Sequence, residues 1–229
     1  PDTDSVDLMD WRSCDPDQAP GIARDFEMRV QFSSGTTGSP KAVLFEGASV
    51  HEKVSRAMRR FDLLDKERIA VLFSLMVGPG IDARLAALGL GATLLACDFQ
   101  SERIWDFLEN YQPTFLSAPT AILNMIFSDD ASARRVGSIR KVYSGGSRLS
   151  PLLYERISNY LDCEIVGAFG ASEVGVVAQR TLSLADARAG VIGHALPGID
   201  VEVVDESGKA LSPNQEGLLR VVGPTPPAR

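Results

Sequence analysis

The sequence FSSGTTGSPKAV (residues 32–43) joins a loop of glycine and hydroxyl residues to a lysine, Lys41. Before it, apolar and polar residues alternate from Phe26 to Phe32, and this period of two predicts a half-buried strand; residues 42–45 predict a second one. Gly35 and Gly38 let the backbone adopt positive φ and bring N–H groups close to an anion. Hydroxyls add donors at Ser33, Ser34, Thr36, Thr37 and Ser39. We therefore expect this loop to hold a polyphosphate, with Lys41 adding charge.

This loop differs from a Walker A loop in its spacing. A Walker A loop has four residues between its first glycine and Gly-Lys-Ser/Thr and then opens a helix, whereas two residues separate Gly35 from Gly38, and Pro40 precedes Lys41. The sequence therefore lacks a P-loop NTPase signature. Glycine, serine and threonine are also ordinary turn residues, so a plain polar hairpin is the alternative interpretation of this loop taken alone.

A second glycine-rich motif, VGAFGASEVG (residues 166–175), follows a predicted strand from Glu164 to Ala168. Two further segments lie on either side of it, YSGGSRLS (residues 143–150) and GVIGHALPG (residues 190–198). In this order the four segments resemble those of the adenylate-forming superfamily, which includes acyl- and aryl-CoA synthetases, luciferases and the adenylation domains of nonribosomal peptide synthetases. The resemblance covers residues from about 26 to 223.

The resemblance implies a two-step reaction. ATP and a carboxylic acid form an acyl-adenylate with release of pyrophosphate, and a thiol, of coenzyme A or of a carrier-protein phosphopantetheine, then takes the acyl group. The implied roles are phosphate binding by the loop with Lys41, Mg²⁺ binding by Glu173, and donation to the α-phosphate by Ser172. Phe169 would stack on adenine. The implied catalytic residues are Lys41, Ser172 and Glu173, and the implied cofactor-binding residues are Ser33, Ser34, Gly35, Thr36, Thr37, Gly38, Gly145, Gly146, Phe169, Gly170 and Ser172.

Four positions depart from the superfamily pattern. Ser172 stands where threonine is usual, and Phe169 stands where tyrosine is usual, which keeps the ring and loses the hydroxyl. Ala42 replaces the glycine that commonly follows the loop lysine. Arg148 occupies a place where a small residue or proline is usual, so the resemblance does not define the substrate-side wall at this position.

The order of predicted elements indicates an α/β fold. Short apolar strands alternate with amphipathic helices up to about Val176, and repeated βα units imply a mainly parallel sheet covered by helices. Ser49 and Glu52 are spaced as a capping box that would begin the first helix. Beyond Val176 the pattern favours strands joined by turns, the start of a small β-rich, barrel-like subdomain. We expect a lead-in segment over 1–25, a nucleotide- and acyl-binding part over 26–180 and an incomplete β-rich subdomain over 181–229.

Composition excludes several classes of protein. A net charge of −7 with no basic tract argues against a nucleic-acid partner, and no apolar run reaches the length of a membrane span. The three cysteines, Cys14, Cys97 and Cys163, are widely spaced and odd in number, which predicts reduced thiols and a cytoplasmic location. His51 and His194 are the only histidines in the sequence, and neither is assigned a role.

The class of acyl substrate is predicted from the absence of a carboxylate in residues 73–81, which we call the pocket segment. Counting back from Gly91 and Ala92 places Gly78 where the amino-acid-activating members carry an aspartate, and Met76 near a histidine common in CoA ligases. No acidic residue lies between Phe73 and Ile81, and a buried ammonium without a partner is costly. We therefore expect a fatty or aryl acid rather than an amino acid.

The extent of the chain gives a further expectation and leaves alternatives open. The superfamily's ribose-binding aspartate, hinge and C-terminal catalytic lysine would lie after Arg229, and an N-terminal subdomain before Pro1, so we expect a truncated portion of an AMP-forming ligase that is inactive alone. One alternative is an inactive adenylation-like module that binds nucleotide. The other is an unrelated α/β protein that binds a phosphorylated ligand.

Overall fold

A computed structural model describes residues 26–33, 41–62, 66–96, 103–128 and 136–223 of the chain. Its strands are β1 (Glu27–Ser33), β2 (Lys41–Glu46), β3 (Arg68–Val71), β4 (Thr93–Leu95), β5 (Phe115–Pro119), β6 (Lys141–Gly145), β7 (Glu164–Ala171), β8 (Gly175–Thr181), β9 (His194–Ala195), β10 (Asp200–Val204) and β11 (Leu218–Val222). Its helices are α1 (Gly47–Phe61), α2 (Gly78–Gly89), α3 (Ile104–Tyr111), α4 (Thr120–Ile126), α5 (Pro151–Tyr160) and α6 (Leu184–Ala189).

Seven strands form the main sheet in the order β4-β3-β5-β6-β7-β8-β9. The five strands from β4 to β7 are parallel, and β8 and β9 continue the sheet in antiparallel pairing. The parallel strands are apolar on both faces, as expected for a sheet covered on both sides. This confirms the predicted α/β fold with a mainly parallel sheet.

Helices cover the two faces of this sheet and form two cores. On one face, α3, α4, α5 and α6 pack against residues such as Ala70, Leu116 and Val142. On the other face, α1 and α2 pack against Ile69 and Phe115. Successive residues of a strand point to opposite faces, which is why neighbours such as Ile69 and Ala70 enter different cores. The second face carries the candidate site.

Two small antiparallel sheets lie outside the main sheet. β1 and β2 pair with Ser33 opposite Lys41, so the ends of the glycine-rich loop are held side by side. β10 and β11 pair over Asp200–Val204 and Leu218–Val222. β9 instead joins β8 through His194 opposite Gln179, which ties the start of the C-terminal segment to the main sheet.

The face of β1 that is buried is the polar one. The alternation predicts a half-buried strand correctly, but Gln31 is 4% exposed while Phe32 is 61% exposed. The Arg29 side chain is also mostly buried and pairs with Asp82 of α2 at 2.9 Å. The buried face of this strand therefore contains an ion pair, and its apolar residues Met28 and Val30 face outward.

The predicted capping box is wrong. α1 begins at Gly47, with Glu46 in the N-cap position and no side-chain capping bond. Ser49 therefore lies inside the first turn, and its buried hydroxyl has no hydrogen-bond partner among the residues that the structure describes. By contrast, Ser150 caps α5, since its hydroxyl accepts from the Leu153 N–H at 3.2 Å.

Candidate active site

The motif around Glu173 forms the tip of the β7–β8 hairpin. β7 runs to Ala171, three residues further than predicted, and residues 172–174 make the turn to Gly175. The tip is tight: a Cβ on Gly170 would lie 2.1 Å from the carbonyl oxygen of Gly175, whose φ is +75°. Gly170 leaves no room for a side chain, and the backbone conformation of Gly175 favours glycine, so both glycines of the motif have a structural reason.

Lys53 of α1 holds this turn through hydrogen bonds to its backbone. The sequence did not predict this role. Its Nζ donates to the carbonyl oxygens of Ser172 at 3.3 Å and Glu173 at 3.4 Å. It also lies 3.6 Å from the centroid of the Phe45 ring on β2. Lys53 thus joins the strand that follows the glycine-rich loop to the turn that carries Ser172 and Glu173. A lysine on the apolar face of a predicted helix was the available signal.

Burial changes the ionisation of Lys53. The residue is 5% exposed, and desolvation lowers the pKa of its ammonium to about 8, while the Asp82 carboxylate opposes the shift. The Glu173 carboxylate acts in the same direction as Asp82. The lysine is therefore mostly charged at neutral pH, because its pKa is still above 7, although much closer to it than the ordinary value of 10.5.

The Gly-Gly turn after β6 is held by Thr120, the first residue of α4. Its hydroxyl lies 2.9 Å from the Ser144 hydroxyl, 3.2 Å from the Gly145 carbonyl oxygen and 2.9 Å from that of Ser147. Gly146 has φ +86°, a conformation that favours glycine. A Cβ on Gly145 would come within 3.3 Å of the Ala168 carbonyl oxygen. The turn therefore lies close against β7.

Two cavities lie on either side of one wall. The larger, about 390 Å³, lies between α1, α2 and the β7–β8 hairpin, and the smaller, about 330 Å³, lies above Leu149, Leu182 and Ile192. The residues that line both are Gly146, Ala168, Phe169 and Gly170. The larger cavity also contains Gly145 and Ser172. The structure thus brings together the predicted residues 145, 146, 169, 170 and 172.

Three positions that the sequence singled out lie in different places relative to the two cavities: Gly78, Met76 and Arg148. Gly78 lines the larger cavity, and a Cβ there would lie 3.3 Å from Gln31 Oε1. Met76 is 73% exposed and does not line the cavity. Arg148 lines the smaller cavity, where its guanidinium donates to the carbonyl oxygen of Ala187 at 3.0 Å. This hydrogen bond to α6 holds the Arg148 side chain in place.

Part of the predicted site lies outside the described residues. The loop residues Ser34, Gly35, Thr36, Thr37 and Gly38 belong to this part. Cys14 and Cys97, which have no predicted site role, also lie outside the described residues. Ser33 and Lys41 are described as backbone only, paired across β1 and β2. Their roles stay predictions.

The histidines and the remaining cysteine lie away from the cavities. His51 is exposed on α1, and His194 Nε2 lies 3.3 Å from Arg180 Nη1. Cys163 is a free thiol whose pKa burial raises to about 12, so it stays protonated at neutral pH. No helix within the described ranges is long and apolar enough to cross a membrane.

The donor set at the turn fits Mg²⁺ with phosphate better than a protein-only metal site. Within the described ranges, no three His, Cys, Asp or Glu side chains come together as ligands. Mg²⁺ commonly uses one or two carboxylates, with water and substrate phosphates completing its shell. Glu173, half-buried beside Ser172, is a carboxylate of this kind.

The parallel sheet, the glycine-rich turns and the paired cavities define an α/β protein with a candidate ligand site on one face of its sheet. The sequence model of the AMP-binding enzyme family matches residues 3–226, and the chain belongs to this family. Family membership removes the alternative of an unrelated phosphate-binding protein.

Individual relatives agree with this assignment. Acyl-coenzyme A synthetase ACSM4, mitochondrial, of Homo sapiens is 24% identical over 87% of this chain and 35% of its own length. Hybrid PKS-NRPS synthetase TAS1 of Pyricularia oryzae is 28% identical over 89% of this chain and 12% of its own. O-succinylbenzoate coenzyme A synthetase of Bacillus subtilis, solved with ATP and magnesium ion, has the same fold (TM-score 0.76, 19% identity, 90% of this chain and 43% of that one). The chain spans about a third of the length of the human relative.

Proposed function

We propose that the protein activates a carboxylic acid with ATP. A carboxylate oxygen bonds to the α-phosphorus, the bond from that phosphorus to the bridging oxygen breaks, and pyrophosphate leaves with the electron pair. The observation that carries the proposal is the pair of cavities separated by Gly146, Ala168, Phe169 and Gly170. The larger cavity, mostly apolar, suits an acyl chain, and the smaller suits adenine beside Phe169. The two reactants would meet at this wall.

The first step needs neutralisation of charge rather than a base. A carboxylic acid with a pKa of about 4 is already ionised at neutral pH. Negative charge develops on the leaving pyrophosphate, and fixed donors aimed at it lower the barrier. We assign this task to the loop from Ser33 to Gly38 with Lys41. Ser172 donates to the α-phosphate, and Glu173 holds Mg²⁺, which when bound neutralises phosphate charge.

Lys53 is a positioning residue in this scheme. Its contacts at 3.3 and 3.4 Å go to the backbone of Ser172 and Glu173, so it fixes the turn rather than the reacting atoms. Its ammonium also adds positive charge to the larger cavity, which it lines. Both effects favour an anionic reactant next to the turn.

The acyl group is proposed to be fatty or aryl rather than an α-amino acid. Asp82 lines the cavity one helical turn after Gly78, but its carboxylate pairs with Arg29 at 2.9 Å. It is therefore not free to receive an ammonium. The nearby Lys53 would also repel one.

The second step transfers the acyl group to a thiol. Relatives described as coenzyme A synthetases favour coenzyme A as the acceptor, and a carrier-protein phosphopantetheine is the alternative, favoured by the hybrid synthetase. A cytoplasmic location stays a prediction, since the human relative is described as mitochondrial. The division at residues 180 and 181 into a nucleotide- and acyl-binding part and a β-rich subdomain is likewise proposed.

The test is carboxylate-dependent release of pyrophosphate by the full-length natural protein, with hydroxylamine to trap the adenylate as a hydroxamate. Release should require ATP, Mg²⁺ and an acid together. Binding of ATP with no release for any acid would instead identify an inactive adenylation-like module.

A further inference from the structure

Three cations of α1 line the larger cavity: Lys53, Arg56 and Arg60. Their spacing of three and four residues places them on one face of the helix. A helix rises 1.5 Å per residue, so the row is roughly 10 Å long. Lys53, at one end, contacts the turn of Ser172 and Glu173, and Arg60 lies two helical turns away, at the end far from the proposed phosphate site.

The charge of Arg60 is not matched by a carboxylate of the described residues. Arg56 bonds Glu52 at 3.1 Å, and Asp82 bonds Arg29 at 2.9 Å, so these two carboxylates already have arginine partners. Arg60 instead lies over aromatic rings, 5.0 Å from the centroid of Phe61 and 5.5 Å from that of Tyr143. Its Nε is buried and has no hydrogen-bond partner within the described ranges.

Two neighbours in the same cavity wall also have a buried donor without a partner among the described residues. Tyr143 is 4% exposed, and its hydroxyl, which lies beside the donating Arg60 guanidinium, has no acceptor of its own among the described residues. Burial raises the pKa of this hydroxyl, so it stays protonated and can donate. The second donor is Nη2 of Arg56. Buried donors are nearly always paired in proteins, which indicates that a ligand supplies the missing acceptor.

We propose that the larger cavity takes a dicarboxylic acid, with an apolar or aryl body, whose second carboxylate pairs with Arg60 and accepts from Tyr143. This inference rests on the proposed function, because the first carboxylate is the one that reacts with ATP beside Ser172. The second carboxylate forms and breaks no bond. A carboxylate has two oxygens and can accept from a guanidinium and a phenol at once.

The walls between the two ends suit the body of such an acid. Phe73, Val77, Pro79 and Val176 line the cavity and offer apolar contact. A monocarboxylic acid with a hydrocarbon end would fill the same space but would leave Arg60 and Tyr143 buried against methylene groups without an acceptor. That burial is unfavourable, so the site should discriminate against it.

The experiment compares acids matched in length, octanoate with suberate and p-toluate with terephthalate, in the hydroxamate assay on the full-length natural protein. We expect kcat/KM to be at least about tenfold higher for the dicarboxylates, the size expected from a hydrogen bond to a charged group. Arg60→Met should remove this preference, and Tyr143→Phe should reduce it. Arg59→Met is the matched control, since Arg59 is the exposed neighbour on the same helix and should leave the preference unchanged.

Two results overturn the inference in different ways. If the acids are activated but octanoate and p-toluate are preferred, and Arg60→Met changes nothing, the dicarboxylate assignment is wrong while adenylation stands. If no acid is activated, the proposed function fails, and thermal unfolding without ATP decides about the anion site. Suberate, but not octanoate, should then raise the Tm of the wild type and not of Arg60→Met. Equal shifts for both acids would refute the site.

Discussion

A single buried ammonium joins three parts of the candidate site. Lys53 lies on α1, contacts the Phe45 ring of β2, and bonds two carbonyl oxygens of the β7–β8 turn. These contacts come from segments far apart along the chain, so no local sequence pattern could predict them. Burial at this position lowers the pKa of the Lys53 ammonium, and this effect can be tested through the pH dependence of stability.

The first prediction concerns stability and pH. The pKa of Lys53 is about 8 in the folded chain, below its ordinary value of 10.5, so the unfolded chain binds more protons between these values. The free energy of unfolding should therefore rise with pH in this window. From about pH 7 to about pH 9 we expect wild type to gain roughly 1 kcal/mol more than Lys53→Met in urea denaturation.

Lys209→Met, which removes an exposed lysine, is the matched control and should follow wild type. If Lys53→Met and wild type respond to pH alike, the ammonium is not desolvated as described.

The second prediction concerns the assigned catalytic residues in the full-length natural protein. Lys41→Ala and Glu173→Gln each remove a charge from the proposed phosphate and Mg²⁺ sites. Each should slow adenylation by roughly a hundredfold, the size typical of a lost transition-state contact. Initial rates of pyrophosphate release measure this.

His51→Ala serves as the control, because His51 is exposed on α1 and has no assigned role. A slow His51→Ala variant together with a fast Glu173→Gln variant would show that the roles are assigned to the wrong residues.

At the scale of elements, sequence patterns located most helices and strands because burial is periodic. The alternation of Ile69 and Ala70 between two cores is the physical source of such a pattern. The prediction of the α1 start was wrong because a capping box is a local preference, and packing of α1 on β1 and β2 overrode it. The sequence also did not predict which face of β1 is buried, because Arg29 on that face pairs with Asp82, a residue far away along the chain.

The third prediction tests how α4 holds the Gly-Gly turn. Thr120→Val keeps the shape of the side chain but removes the hydroxyl that lies 2.9 Å from Ser144 Oγ and from the Ser147 carbonyl oxygen. Buried acceptors lose their partner, so unfolding should become about 1–3 kcal/mol easier in urea denaturation. Binding of ATP should weaken as well, because the turn forms part of the shared wall.

Thr181→Val makes the same chemical change at an exposed position at the end of β8. It should stay within about 0.5 kcal/mol of wild type. Equal effects of the two substitutions would mean that the Thr120 hydroxyl contributes nothing special.

At the scale of the whole molecule, four short segments predicted the family, and two of them supply Gly146, Phe169 and Gly170 of the wall. These segments are constrained by sterics, as the 2.1 Å approach at Gly170 illustrates. The charges of the larger cavity were not predicted. Arg60 follows Arg59 in the sequence without a local signal of a buried role, and only tertiary packing brings it beside Tyr143 of β6.

The fourth prediction concerns the class of acid. Gly78 leaves no carboxylate for an α-ammonium, and Asp82 is held by Arg29. In the hydroxamate assay with the full-length natural protein, fatty or aryl acids, with or without a second carboxylate, should therefore give product, and free α-amino acids should give little. A clear preference for an α-amino acid would contradict this pocket assignment and leave the roles of Lys41, Ser172 and Glu173 untouched.

The wall shared by the two cavities has a thermodynamic consequence. Phe169 and Gly170 border both spaces, so we expect any ordering of this strand by one proposed reactant to be complete when the other binds. The two binding equilibria are then linked, and linkage is reciprocal: the factor by which the acid tightens ATP equals the factor by which ATP tightens the acid. An acid with a poor fit would thus reveal itself as a weaker apparent affinity for nucleotide.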